Sequence, residues 1–150
     1  MFIYQSNLMS ASIHSSQAGS ESSVQAQHFL VIDDDRGVRQ FLRDFLRIQG
    51  CECEALGDKA SAVDWLTNHP CDAIVLDLNL GNDPDEGFDA LKQIRASYPA
   101  LPIVILTGAG YDENKLQTAI HAGANGYISK TIPPDELFAA LMRAVRTARV

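Results

Sequence analysis

The sequence predicts one α/β domain: five parallel strands alternating with five helices, the sheet covered on both faces. Three observations carry this. Short apolar runs such as Phe29-Leu-Val-Ile32, Ala73-Ile-Val-Leu76 and Ile103-Val-Ile-Leu106 are continuous rather than alternating, as expected of strands buried on both sides. Between them, apolar residues recur three and four positions apart, the spacing of one helix face. The two kinds of segment alternate from Phe29 onward, which is the order of repeated βα units.

The first strand, Phe29 to Ile32, stops at Asp33-Asp34-Asp35. Val38, Phe41, Leu42, Phe45 and Leu46 mark the inner face of a first helix, and Gly50 stands where a helix stop belongs. Cys51 to Leu56 reads as a weaker strand. Asp58 can cap a second helix reaching about Asn68, with Ala62, Val63 and Leu66 inward. Ala73 to Asp77 is the third strand. It is followed by a loop rich in Gly, Asn, Asp and Pro, then by a helix with Phe88, Leu91 and Ile94 on one face. Pro102 opens the strand Ile103 to Leu106, which runs into Thr107-Gly108-Ala109-Gly110. A fourth helix from about Asp112 carries Leu116, Ala119 and Ile120 inward and ends at Gly123. Tyr127-Ile128 belong to a last short strand ending at Lys130. Pro134 then starts a helix with Leu137, Leu141, Ala144 and Val145 inward. With strand order 2-1-3-4-5 this is a flavodoxin-like, doubly wound sheet.

Nineteen acids against 12 bases give the 150-residue chain a net charge of -7. That argues against direct nucleic-acid binding and against an anionic membrane surface, since both need clustered positive charge. No apolar run approaches the roughly 20 residues of a bilayer span. Residues 1–28 hold eight serines and one charge, Glu21, and no Lys or Arg precedes Arg36. The basic start of a secretory signal is therefore missing. These residues are expected to form a flexible Ser-rich tail, with residues 29–150 the folded domain and the protein cytoplasmic. Three cysteines make no disulfide framework. Cys51-Glu-Cys53 reads as two small apolar side chains alternating with Glu52 and Glu54, in preference to half a metal site helped by His69 and Cys71. Trp65 is expected to pack on the second helix. Arg143, Arg146 and Arg149 suit the negative end of the last helix, or form a small partner-binding stripe.

In an open parallel sheet, ligands bind at the carboxyl ends of strands where the strand order reverses. If the order is 2-1-3-4-5, strands 1 and 3 flank that point. Asp33, Asp34 and Asp77 then converge on one crevice, with the Thr107 hydroxyl and the Lys130 ammonium beside them. Carboxylates brought together repel unless a cation compensates, and a hard divalent ion such as Mg²⁺ with oxygen ligands is the natural solution. A carboxylate can also be the nucleophile that accepts a phosphoryl group. The set suits phosphoryl transfer to an aspartate.

Over about residues 29–150 the chain resembles the receiver domain of two-component response regulators. The motifs are the acidic pair in Val31-Ile-Asp-Asp-Asp35, Ile74-Val-Leu-Asp77, Ile105-Leu-Thr-Gly108 and Gly126-Tyr-Ile-Ser-Lys130, in order and each at a strand end. The resemblance implies that Asp77 is the phospho-acceptor and that Asp34 ligates Mg²⁺ directly, with Asp33 acting mainly through a water. It implies that the Asn79 carbonyl completes the protein ligands, and that Thr107 and Lys130 contact the phosphoryl group. Tyr127 would turn inward as Thr107 is drawn toward it, and the small Gly108 would leave the acceptor open. The implied partners are a histidine kinase or histidine phosphotransfer protein and a downstream protein. Two departures stand out: Gly87 lies ten positions beyond Asp77 rather than the usual eight, with an acidic loop between, and Lys130 is followed by Thr131 rather than Pro.

Two other readings compete. A haloacid-dehalogenase-type phosphatase shares a strand ending in Asp-x-Asp, here Asp33-x-Asp35, and one ending at Thr107, but it leaves Asp77 unexplained. A receiver-like binding module that is not phosphorylated would work through its surface alone. Asp35 is expected to be solvated or to cap the first helix, and Asp83, Asp85 and Glu86 to be a hydrated loop. The expectation is a stand-alone receiver, or one whose output lies on another chain, that is a phospho-acceptor rather than a turnover enzyme.

Overall fold

The computed structural model describes residues 26–81, 83, 85–108 and 112–148. The expected tail lies, up to residue 25, outside the described residues, as do Ala109, Gly110 and Arg149. The chain runs β1 (His28–Ile32), α1 (Arg36–Ile48), β2 (Glu52–Leu56), α2 (Lys59–Asn68), β3 (Ala73–Asp77), α3 (Glu86–Ser97), β4 (Ile103–Thr107), α4 (Glu113–His121), β5 (Gly126–Ser129) and α5 (Pro134–Ala148). All neighbouring strands are parallel and the order is β2-β1-β3-β4-β5.

Strand side chains alternate between faces, and both faces of this sheet are covered. Phe29, Val31, Val75, Val104 and Leu106 point to one side, where α1 and α5 close over them with Leu42, Phe45, Leu46, Leu137, Leu141 and Val145. Leu30, Ile32, Ile74, Leu76, Ile103 and Ile105 point to the other, under Ala62, Leu66, Leu91, Ile94 and Ala119 from α2, α3 and α4. This double coverage is why β3 and β4 read as unbroken apolar runs, both buried at every position. Strand β2, at the sheet edge, keeps the alternation expected of it: Cys53 and Ala55 are buried, while Glu52 is exposed.

Local signals set the helix ends. Asp58 caps α2, accepting from Ser61 N at 2.7 Å and from Ser61 Oγ at 3.0 Å. Asp112 caps α4 through Asn114 N and Lys115 N. Gly50 and Gly123, at φ 87° and 106°, adopt the left-handed conformation that ends α1 and α4. Arg95 ties the end of α3 to the segment before β5, donating to the carbonyls of Leu101 (2.6 Å) and Gly123 (2.7 Å) and to Asn125 Oδ1 (2.8 Å).

Three expectations fail. Glu86, expected in the hydrated loop, is the half-buried first residue of α3, where its carboxylate suits the positive helix end. Phe41 and Ile120, expected inward, are 51% and 45% exposed. Each neighbours a fully inward residue, Leu42 and Ala119, and one residue along a helix rotates the side chain by about 100°. Phe41 stacks on Phe45 instead, at 6.1 Å between ring centroids. Trp65 is half-buried on α2 as expected, stacked on His69 at 4.6 Å and edge-on to His28. Among the described residues no helix is long and apolar enough to cross a membrane.

Candidate functional site

With β1 between β2 and β3, the carboxyl ends of β1 and β3 lie side by side at the point where the strand order reverses. Asp33 follows β1, Asp77 ends β3, Thr107 ends β4 and Lys130 follows β5. Alternation past the end of β1 turns Asp33 into the crevice, 1% exposed, and leaves Asp34 at its open rim. Asp77 and Thr107 are buried at 2% and 1%. One carboxylate oxygen from each of Asp33, Asp34 and Asp77 lies within 4.8 Å of the other two. Lys130 Nζ stands between two of them, 2.9 Å from Asp33 Oδ2 and 3.2 Å from Asp77 Oδ2. The parallel register Thr107↔Ser129 brings Lys130 here, and Lys130 N donates to the Thr107 carbonyl at 2.7 Å.

The charges in this crevice do not balance. Three carboxylates face one ammonium, and two unit negative charges about 5 Å apart repel by on the order of 3 kcal/mol even at an effective dielectric of about 20. Burial raises the Asp33 carboxyl above its usual range; Lys130 and the Asp35 amide oppose this, and the Asp77 charge adds to it. Burial works against the Lys130 ammonium too, but the adjoining Asp33 carboxylate, with Asp77, outweighs it and holds that group above its ordinary value. Asp33 Oδ2 is buried without an aligned hydrogen-bond donor, although Lys130 is within ion-pair distance. A lone pair left over on a buried carboxylate, in a cluster of net negative charge, is what a divalent cation would complete.

Backbone contacts that sequence reasoning did not reach hold the site in shape. Asp33 Oδ1 accepts from Asp35 N at 2.9 Å, and its carbonyl accepts from Arg39 Nη1 at 2.8 Å. Asp35 caps α1, as its position in the sequence led one to expect, taking Val38 N at 3.1 Å. On the β3 side, Asn79 N donates to Asp77 Oδ1 at 3.0 Å and Gly81 N to Asp34 Oδ2 at 3.1 Å. Gly87 is buried, and a Cβ there would stand 2.1 Å from the Leu78 carbonyl oxygen. The glycine ten positions past Asp77 thus lets the start of α3 touch the backbone just after β3. No spacing rule pointed to Leu80 or Gly81.

Tyr127 is half-buried, its hydroxyl is shielded from water and Thr107 lies beside it. Burial pushes its phenol up, the Asp112 charge adds to this and the Thr107 hydroxyl opposes it. Gly108 has room for a Cβ, whose nearest neighbour would be Lys130 Cδ at 3.6 Å. Among the described residues, no other group of three or more His, Cys, Asp or Glu side chains gathers closely enough to hold a metal. Cys51, Cys53 and Cys71 take part in no disulfide among the described residues.

Comparison with known proteins agrees with this geometry. Residues 29–142 match the response regulator receiver domain family. The chain is 33% identical over 117 residues to the response regulator MprA of Mycobacterium sp. (strain KMS), covering 78% of this chain and 50% of that protein. It spans a quarter to half the length of the curated relatives it matches. The CheY-like receiver domain protein from Methanospirillum hungatei JF-1 shares the fold, with a TM-score of 0.75 at 22% identity, over 83% of this chain and 98% of that one. A response regulator from Burkholderia pseudomallei, solved with a phosphorylated aspartic acid, calcium ion and citrate, superposes with a TM-score of 0.71 at 26% identity. That match covers 82% of this chain and 71% of that one. The chain therefore belongs to the response regulator receiver domain family of two-component systems.

Proposed function

We propose that Asp77 accepts a phosphoryl group from a histidine kinase or histidine phosphotransfer protein, with Mg²⁺ bound by Asp33, Asp34, Asp77 and the Asn79 carbonyl. The observation that carries this reading is the convergence of the three carboxylates within 4.8 Å, with Lys130 bridging Asp33 and Asp77. The phosphorylated aspartate and calcium ion of the Burkholderia pseudomallei relative support it.

In this reading Asp77 is the nucleophile. One of its oxygens forms a bond to phosphorus while the bond from phosphorus to the donor's imidazole nitrogen breaks, and the electron pair stays on that nitrogen. The Asn79 amide fixes Asp77 Oδ1, so the carboxylate is oriented before the donor arrives. Lys130 and the Thr107 hydroxyl contact the incoming phosphoryl oxygens. The ion, when bound, supplies positive charge against the carboxylates and the phosphoryl oxygens. Gly108 leaves the approach to Asp77 open. Thr107 engaging the phosphoryl group shifts its relation to Tyr127 and biases the surface around β5 toward a state that a partner reads.

Incubation with acetyl phosphate tests this. A single phosphoryl adduct by intact-mass spectrometry that requires Mg²⁺ is expected; absence of any adduct on the folded wild type contradicts it.

A further inference from the structure

We propose that the segment Leu80-Gly81 is a positioning element for the cation site, through the hydrogen bond from the Gly81 amide to Asp34. The inference rests on the reading of Asp34 as a metal ligand and names the part of this chain that aims it. Residues 78 to 81 follow a period of two: Leu78 and Leu80 are 2% and 1% exposed, while the amides of Asn79 and Gly81 donate into the crevice, to Asp77 Oδ1 and Asp34 Oδ2. The two leucines sit in the same apolar layer as Ala90, Leu91 and Ile94 of α3, and Gly87 closes on the Leu78 backbone. The segment after β3 is therefore pinned from below and delivers one amide to Asp77, at the end of β3, and one to Asp34, in the loop after β1.

Asp34 needs this help more than its neighbours do. Asp33 and Asp77 are buried and held by Lys130, whereas Asp34 is exposed, and an exposed side chain free to rotate must lose that freedom when it binds an ion. The Gly81 amide fixes the carboxylate through Oδ2. Partners of this kind, which orient a ligand without touching the metal, typically change metal affinity 10- to 100-fold when lost. Gly81 has φ +62° with open space where a Cβ would stand, so a substitution there meets a conformational demand and no clash. Asn tolerates that conformation; a β-branched residue does not.

The test measures Mg²⁺ affinity by calorimetric titration of wild type, Gly81→Asn and Gly81→Val, with the thermal midpoint of each in Mg²⁺-free buffer. Amide hydrogen exchange at Gly81 is followed by NMR in the metal-free wild type. The expected result is a protected Gly81 amide, near-wild-type affinity in Gly81→Asn and about tenfold weaker affinity in Gly81→Val. A Gly81 amide exchanging at the rate of an unstructured chain, or a Gly81→Val affinity equal to wild type, overturns the proposal. A wild type that binds no Mg²⁺ overturns the functional reading beneath it. The exchange measurement is independent of metal and separates the two failures. A Gly81→Val midpoint that falls while the affinity holds assigns Gly81 a structural role only and also overturns it.

Discussion

Gly87→Ala is the substitution for which the structure gives the sharpest expectation. A Cβ at this position would stand 2.1 Å from the Leu78 carbonyl oxygen, 2.3 Å from its Cα and 2.4 Å from its carbonyl carbon. All three are backbone atoms, so no rotamer change relieves the contact. Restoring an ordinary separation of roughly 3.4 Å requires the start of α3 to move away from β3 by about 1.3 Å. Gly to Ala within a helix would otherwise favour folding by about 0.5–1 kcal/mol. Overpacking costs about 1–3 kcal/mol, and a clash with backbone alone falls at about 2–3 kcal/mol, so the net loss is about 1–2.5 kcal/mol, or a thermal midpoint lower by roughly 3–15 °C for a domain of this size. Any part of that strain taken up by the Leu78 backbone also shifts Asn79, whose amide orients Asp77, so the proposed phosphorylation of Asp77 is expected to slow as well. Urea unfolding and adduct formation over time measure the two effects. A variant as stable as wild type would refute the reasoning, because the start of α3 would then be free to move.

Three further outcomes follow from other parts of the structure. Gly108→Ala adds a Cβ in ordinary contact with Lys130 Cδ at 3.6 Å, so stability stays within about 0.5 kcal/mol of wild type while acetyl phosphate labelling slows severalfold; reduced stability at an unchanged rate contradicts the assigned role. Asp58→Ala removes the α2 cap and lowers stability by about 1 kcal/mol at neutral pH. The Ser61 hydrogen bonds hold the folded-state Asp58 carboxyl below its usual value, so the contribution is present above the unfolded pKa and lost as pH falls through the lower folded one. Urea midpoints of wild type and variant should therefore converge in acid, and a gap that persists there counts against the cap. Burial pushes the thiols of Cys51 and Cys53 up to about 11 and that of Cys71 up to about 12, so native protein should react with iodoacetamide at least ~100-fold more slowly than urea-unfolded protein; rapid labelling of the native chain would show these environments to be open.

Much of the architecture was legible because its signals are local. Continuous apolar runs marked β1, β3 and β4, Asp58 and Asp112 marked helix starts, and Gly50 and Gly123 marked helix ends. The convergence of Asp33, Asp34, Asp77, Thr107 and Lys130 followed from strand order alone, since every one of them lies at a strand end. What stayed hidden depends on distance across the fold. Arg39 reaching the Asp33 carbonyl, Arg95 gathering the carbonyls before β5 and Gly81 donating to Asp34 each join residues with no sequence spacing of their own. Gly87 was visible as a departure in spacing, but its close approach to the Leu78 backbone was not. Phe41 and Ile120 were misplaced because a period of 3.6 leaves residues at the edge of an apolar arc undetermined until the neighbouring helix is known.

Everything proposed for the crevice turns on Asp77, and no other carboxylate there, carrying the phosphoryl group. Labelling with acetyl phosphate and Mg²⁺, followed by borohydride reduction and tandem mass spectrometry, tests it directly, because reduction converts an aspartyl phosphate to homoserine and marks the position. Homoserine is expected at position 77 and none in the Asp77→Asn variant. Homoserine at Asp33, the nucleophile that a haloacid-dehalogenase-type chemistry would use, or an adduct that survives Asp77→Asn, would contradict it.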